Sequence, residues 1–221
     1  MRRIEPPMNA DKINPKSISH RDHRERRMGV SGAILRLKIT LMDCKPTIWR
    51  EIEVVLSMTL SGLHEALQVL MGWEDGHLWA FEAGQRRFEP PDPDGMNLSG
   101  RSPEDPERVT LRDLFAKEGQ NILYQYDFGD DWRVEIAVVA IGKPAPGVRY
   151  PRCLGGERAG PPEDCGGPPG FEELLAARRK PKSALARELL EWVGPDWDPN
   201  EFDIVAVNKD LAALRAPRHL H

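Results

Sequence analysis

Two short segments concentrate the groups that could do chemistry. YDFGDDW carries Asp127, Asp130 and Asp131, and PPEDCGG carries Glu163, Asp164 and Cys165. If the two segments met, their carboxylates would form a hard-cation cluster able to activate water for hydrolysis. The competing reading makes Asp130 and Asp131 turn residues whose side chains bond nearby backbone, with Asp164 holding its own loop in the same way. The turn reading is preferred because nothing in the sequence brings the segments together.

The nitrogen and sulfur donors are sparser. Cys153 and Cys165 could offer two sulfurs to a soft metal, completed by His77 or His64. Their spacing is not C-x-x-C, however, and buried or idle thiols are the preferred reading. His64 borders the Leu60, Leu63 and Leu67 rows of a helix, which favours a hydrogen-bonded core histidine. His77 begins a strand and stays open to either role. DWDPN, with Asp196, Asp198 and Asn200, starts like a calcium loop. Glu201 then stands where that loop needs glycine, and Val207 where it needs a bidentate glutamate. Asp198, Pro199 and Glu201 read instead as a helix cap.

The elements that must carry these groups can be read from period and punctuation. Ile34, Leu35, Leu37, Ile39 and Leu41 make a strand, DCKPT turns the chain, and Ile48, Ile52, Val54 and Val55 make a second strand. Thr59 caps a helix bearing Leu60, Leu63, Leu67 and Leu70, which Gly72 stops. HLWAFEAGQRRFE reads as a hairpin turning at Gly84, followed by a long polar loop. Thr110 and Asp113 form a capping box for a short helix, and NILYQYDFGDDWRVEIAVVAI makes two strands around FGDD. CLGGERAGPPEDCGG, rich in glycine and proline, reads as a loop. Helices are expected over 171–178, 183–193 and 204–214. The fold expected is α+β: a mixed or antiparallel sheet with a β-grasp-like ββα start and C-terminal helices.

Charge and composition bound the partners. The 221 residues hold 31 basic and 35 acidic side chains, a net charge of −4. Residues 1–30 carry eight basic and four acidic side chains, which leaves that segment at +4 and the rest at −8. Residues 1–30 lack a hydrophobic period and read as a disordered basic tail, with Met28 as an alternative start. Residues 31–221 read as a single domain. The acidic body is no electrostatic surface for nucleic acid, so any weak nucleic-acid contact is expected through the tail. Three cysteines without an apolar leader point to the cytoplasm, and no apolar run reaches the roughly 18 residues of a membrane span.

PTIWREIEV, LHEALQVLMGWEDGHLWAFE, YQYDFGDDWRVEI, PRCLGGERAGPPEDCGG and EWVGPDWDPNEFDIVAVN together resemble the plasmid pRiA4b ORF-3-like family, also labelled passenger "TnpR" proteins of insertion sequences. The resemblance runs from Ile34 to Leu214. It implies an α+β domain found on plasmids, mobile elements and bacterial chromosomes, and no particular reaction. The resolvase label finds no support, because Ser61 and Ser99 lack the arginine neighbours that a serine recombinase needs. The chain departs from the family pattern at Trp79 and Val134, where histidine is common, and at Gly160, where cysteine is common. Each departure removes a potential metal ligand, so no cofactor is expected.

The function expected is a non-enzymatic recognition module. Its ligand cleft would draw on His64, His77, Asp127, Asp130, Trp132, Glu163 and Asp164, with Trp132 and His77 closing it. Asp164 is expected to be a structural acceptor and Glu163 a free ligand group. The alternative is a metal-dependent hydrolase of phosphodiesters or amides that uses the same acidic residues.

Overall fold

Apolar residues alternate with Arg36, Lys38 and Thr40 along β1 (Ile34–Leu41), so one side of the strand is buried and the other faces water. β2 (Trp49–Val55) repeats the pattern and pairs antiparallel with it from Ile34↔Val55 to Thr40↔Trp49. These elements come from a computed structural model that describes residues 32–91 and 103–214. The basic tail, the alternative start at Met28 and part of the loop after residue 91 lie outside the described residues.

The helix α1 (Leu60–Met71) follows β2. The Thr59 hydroxyl accepts the Gly62 N–H at 3.1 Å, and Gly72 ends the helix with a φ of 73°. Five further strands complete the sheet: β3 (Trp79–Ala83), β4 (Arg86–Phe88), β5 (Asn121–Tyr126), β6 (Trp132–Gly142) and β7 (Arg152–Glu157). Their order is β4-β3-β5-β6-β1-β2-β7, and every pair of neighbours is antiparallel. The remaining helices among the described residues are the single turn α2 (Leu111–Leu114), α3 (Gly167–Arg179), α4 (Ala184–Val193) and α5 (Ile204–Ala213). Leu60, Leu63, Leu67 and Leu70 of α1 join Leu35, Leu37, Ile39, Ile52 and Val54 in one apolar core. None of the helices described is long and apolar enough to cross a membrane.

The α+β reading holds, and its sheet is antiparallel. The ββα start is present, but the β-grasp detail does not follow, since both neighbours of β1, β2 and β6, run antiparallel to it. The segment read as one long loop begins as a strand: Cys153, Leu154, Gly155 and Gly156 belong to β7, at the sheet edge. An edge strand needs a partner on one side only, which makes interior glycines tolerable there. The last helix is capped by Asp203, whose carboxylate accepts the Val205 and Ala206 N–H groups. Asp198 instead bonds the Asn200 N–H in a local turn.

One core position breaks the apolar pattern. Arg50 of β2 is 1% exposed, alongside Ile52 and Val54. Its Nε donates to the Leu70 carbonyl (2.9 Å), Nη1 to Trp49 and Glu157 (both 2.8 Å) and Nη2 to Arg158 (2.7 Å). Its guanidinium also lies 4.1 Å from the centre of the Phe202 ring. Burial lowers its pKa to about 10, so it stays charged at neutral pH. Replacing Arg50 with methionine keeps most of the volume but strips the donors from four carbonyls. The expected cost is about 2–4 kcal/mol, read as a lower urea midpoint, and Arg50→Lys should recover little of it.

Candidate functional site

The chain leaving α1 meets the chain leaving β7. Trp73 stacks on Tyr126 of β5 with ring centroids 4.6 Å apart, and its Nε1 donates to the Pro161 carbonyl at 3.1 Å. Glu74 N–H donates to Glu163 Oε1 at 2.8 Å, and Gly76 N–H donates to the Tyr126 hydroxyl at 3.1 Å. Because that hydroxyl accepts from Gly76, its own proton goes to Glu163 Oε1, at 2.8 Å. Burial, reinforced by the bond to Glu163, raises the pKa of Tyr126 and keeps the hydroxyl protonated.

His77 stands in the middle of three carboxylates. Its Nδ1 is 3.6 Å from Asp127 Oδ2, and its Nε2 is 3.5 Å from Glu163 Oε2 and 3.3 Å from Asp164 Oδ1. One ligand atom from each of His77, Asp127 and Asp164 lies within 4.8 Å of the others. Glu163 Oε2 is buried and has no hydrogen-bond partner. Among the described residues, His77 is the one cation-capable side chain that forms an ion pair with any of the three carboxylates. The arrangement can hold a positive charge and would repel an anion.

Local backbone geometry aims these groups. Asp127 has a φ of 53°, and its Oδ1 accepts the Gly129 and Asp130 N–H groups at 2.9 and 3.3 Å, leaving Oδ2 for His77. Asp130 Oδ2 accepts the Gly166 N–H at 3.1 Å, which ties the FGDD turn to the PPEDCGG loop. At Gly167, where φ is 66°, a Cβ would lie 2.4 Å from the Asp130 carbonyl oxygen. At Gly160 a Cβ would lie 2.0 Å from the Met71 carbonyl oxygen, so the absence of a side chain there lets the loop press against the end of α1.

His64 lies in a separate network that supports the loop bearing His77. It is 3% exposed and stacks on Trp79 at 4.0 Å. Its Nε2 is 2.7 Å from Asp75 Oδ1, which can only accept, so this nitrogen carries the proton. Its Nδ1 then accepts from the Tyr124 hydroxyl at 2.8 Å, and that hydroxyl accepts from Gln68 Nε2 at 3.0 Å. Gln68 Oε1 accepts the Asp75 N–H at 2.9 Å, which closes a ring of donors and acceptors. Burial lowers the pKa of His64, with Asp75 opposing that shift in part.

Of the residues expected at the cleft, His77, Asp127, Glu163 and Asp164 meet. His64 lies in the adjoining ring, and Asp130 fastens loops together. Trp132 does not join this group. It is fully buried, 6.4 Å from both Trp73 and Phe171 by ring centroids, because the two-residue period of β6 sets it on the core face with Val134, Ile136 and Val138. The expected roles of Glu163 and Asp164 are exchanged: Glu163 is the structural acceptor, while the Asp164 side chain is 73% exposed. Among the described residues no metal-capable cluster contains a cysteine. Cys153 donates its N–H to Asn208 Oδ1, and burial raises the Cys165 thiol to about 12. Trp79 and Val134 are buried, Trp79 against His64 and Val134 opposite Tyr124.

Tyr124, Tyr126, Gln68, Asp75 and Trp73 were not singled out as site residues from the sequence. The signal available for the two tyrosines was their place on the buried face of β5, since a buried hydroxyl needs a partner.

An antiparallel α+β sheet whose loops gather carboxylates around one imidazole defines the class. The chain belongs to the plasmid pRiA4b ORF-3-like protein family, whose model matches residues 33–206. It is 37% identical over 187 residues to the uncharacterized protein y4hQ of Sinorhizobium fredii (strain NBRC 101917 / NGR234), covering 82% of this chain and 94% of that protein. It also resembles the crystal structure of MM3350, a protein of unknown function from Methanosarcina mazei Go1. There the TM-score is 0.71 at 32% identity, covering 81% of this chain and 98% of the other.

Two outcomes follow from this geometry. Glu163→Ala leaves the Glu74 N–H and the Tyr126 hydroxyl without their acceptor and should cost about 1–3 kcal/mol in urea unfolding, whereas Asp164→Ala should cost almost nothing. His64 takes up a proton less readily when folded than when unfolded. As pH falls below the ordinary imidazole value of about 6.5, the unfolded state therefore binds the extra proton and stability drops. Urea melts at several pH values from 5 to 8 should show this slope in the wild type and a shallower one in His64→Gln.

Proposed function

We propose that the chain is a non-enzymatic binding module whose cleft recognises a positively charged group. The observation that carries this reading is the convergence of Asp127, Glu163 and Asp164 on His77, with one buried carboxylate oxygen left without a hydrogen-bond partner. A buried acceptor without a hydrogen bond is costly, and an incoming cation would offset that cost. Asp164, exposed at the rim, would be the first contact. The tail at 1–30 remains the segment through which we propose any weak nucleic-acid contact, because phosphate would be repelled from the acidic cleft. Association with plasmids and mobile elements, and a cytoplasmic location, complete the proposal. The free cysteines Cys44, Cys153 and Cys165 suit a reducing compartment.

A hydrolytic reading has one observation in its favour, namely that acidic residues of the YDFGDDW and PPEDCGG segments do meet, through Asp127 and Asp164. Asp130, the third member of that set, is instead turned to the Gly166 N–H.

Thermal melts of the full chain provide the test. Ammonium, guanidinium or divalent-metal ligands should raise the melting temperature, and Asp164→Asn should weaken that response. Stabilisation by phosphate or carboxylate ligands instead, or indifference to every cation, would refute the reading.

A further inference from the structure

We infer that the groove between α3 and α4 is a docking site for an acidic amphipathic helix of a partner protein. The groove shares no residue with the His77 cluster. α4 packs against α3, and Ala186 is its one buried side chain. Among the described residues, no side chain of α4 belongs to the main apolar core. Leu185, Leu189 and Trp192 nevertheless recur at i, i+4 and i+7, the spacing that lines one helix face with apolar groups. Leu185 is 59% and Trp192 52% exposed. The groove holds about 720 Å³, lined by Leu185, Ala186 and Leu189 of α4 and by Ala176 and Ala177 of α3. Apolar surface left open to water and rimmed by polar groups marks an interaction site.

Charge selects the occupant. The chain joining the two helices reads RRKPK, with Arg178, Arg179, Lys180 and Lys182 close together in a protein whose net charge is −4. Arg179, Lys180 and Lys182 line the groove against a single acid, Glu173. None of these four cations forms an ion pair with a described residue. Unpaired cations beside an apolar floor complement a segment that carries carboxylates along the flanks of its own apolar stripe. From Leu185 to Trp192 the stripe spans about 10 Å, or two helical turns, which matches apolar anchors at i, i+3, i+4 and i+7 of a helix laid in the groove. A second copy of this chain would bring its own RRKPK run to the first and be repelled. A nucleic-acid backbone would satisfy the cations but leave Leu185 and Leu189 uncovered. A bilayer is too flat to enter a groove between two helices.

Fluorescence anisotropy of a labelled, amidated peptide of about 16 residues, titrated with the full-length protein, is the test. The peptide has leucines at i, i+3, i+4 and i+7 with glutamates and alanines elsewhere, and its control has lysine in place of each glutamate. The protein should bind the acidic peptide about tenfold or more tighter than the basic one, and less tightly as salt is raised. Leu185→Gln and Leu189→Gln should each weaken binding about tenfold. Because the Leu185 side chain is exposed, Leu185→Gln should keep the wild-type melting temperature, which separates docking from folding. Lys180→Glu combined with Lys182→Glu should remove the preference for the acidic peptide. The inference is overturned if the acidic peptide does not bind, if Leu185→Gln binds it as tightly as the wild type, or if the basic peptide binds equally well. It is also overturned if phosphatidylserine vesicles bind where the peptide does not, or if the protein sediments as a dimer that Leu185→Gln dissociates, since a bilayer or a second copy then occupies the groove.

Discussion

A buried guanidinium whose hydrogen bonds among the described residues all go to backbone carbonyl oxygens holds the architecture together. Arg50 reaches the last turn of α1 through Leu70, and the end of β7 and its exit through Glu157 and Arg158. The carbonyls at a helix C-terminus carry partial negative charge, so the Leu70 end of α1 suits a cation that has no carboxylate beside it. Such a group tolerates little displacement, because each lost bond would leave a buried polar atom unsatisfied. The two chain segments that Arg50 fixes are those that run on into the site: Trp73 to His77 after α1, and Pro161 to Asp164 after β7.

From that clamp outward, polar contacts link the segments in sequence. Trp73 lies on Tyr126 and reaches Pro161, Glu163 bridges Glu74 and Tyr126, and Asp130 joins the FGDD turn to Gly166. The His64 ring fixes Asp75, two residues before His77, from the core side. In a low-dielectric interior such networks hold well only when every member is paired. The ring around His64 meets that condition. The cluster around His77 does not, since Glu163 Oε2 is buried without a hydrogen-bond partner and has only the His77 ring nitrogen, at 3.5 Å, beside it.

Much of the fold was legible because its signals are local. The two-residue period of β1 and β2, the Thr59 cap and Gly72 stop of α1, the hairpin at Gly84 and the capping box at Thr110 each depend on a few neighbouring residues. The segments that carry the family resemblance were legible for the same reason. Where local chemistry misled, a distant partner decided. β7 forms despite its glycines because β2 supplies its bonds, and the cap of α5 falls on Asp203 while Asp198 closes a turn of its own.

The site divides the same way. By itself the sequence determined that the acidic residues cluster in FGDD and PPED, that His77 stands near a strand start and that Trp132 shares a face with Val134. Only the tertiary structure decided that Asp127 and Asp164 meet at His77, that Trp132 lies in the core, and that Glu163 rather than Asp164 is held by donors. Those donors, Glu74 and Tyr126, stand 89 and 37 residues from Glu163 in the chain. A carboxylate's role depends on which donors desolvate and satisfy it, and no pattern of neighbours along the chain encodes contacts made at that range.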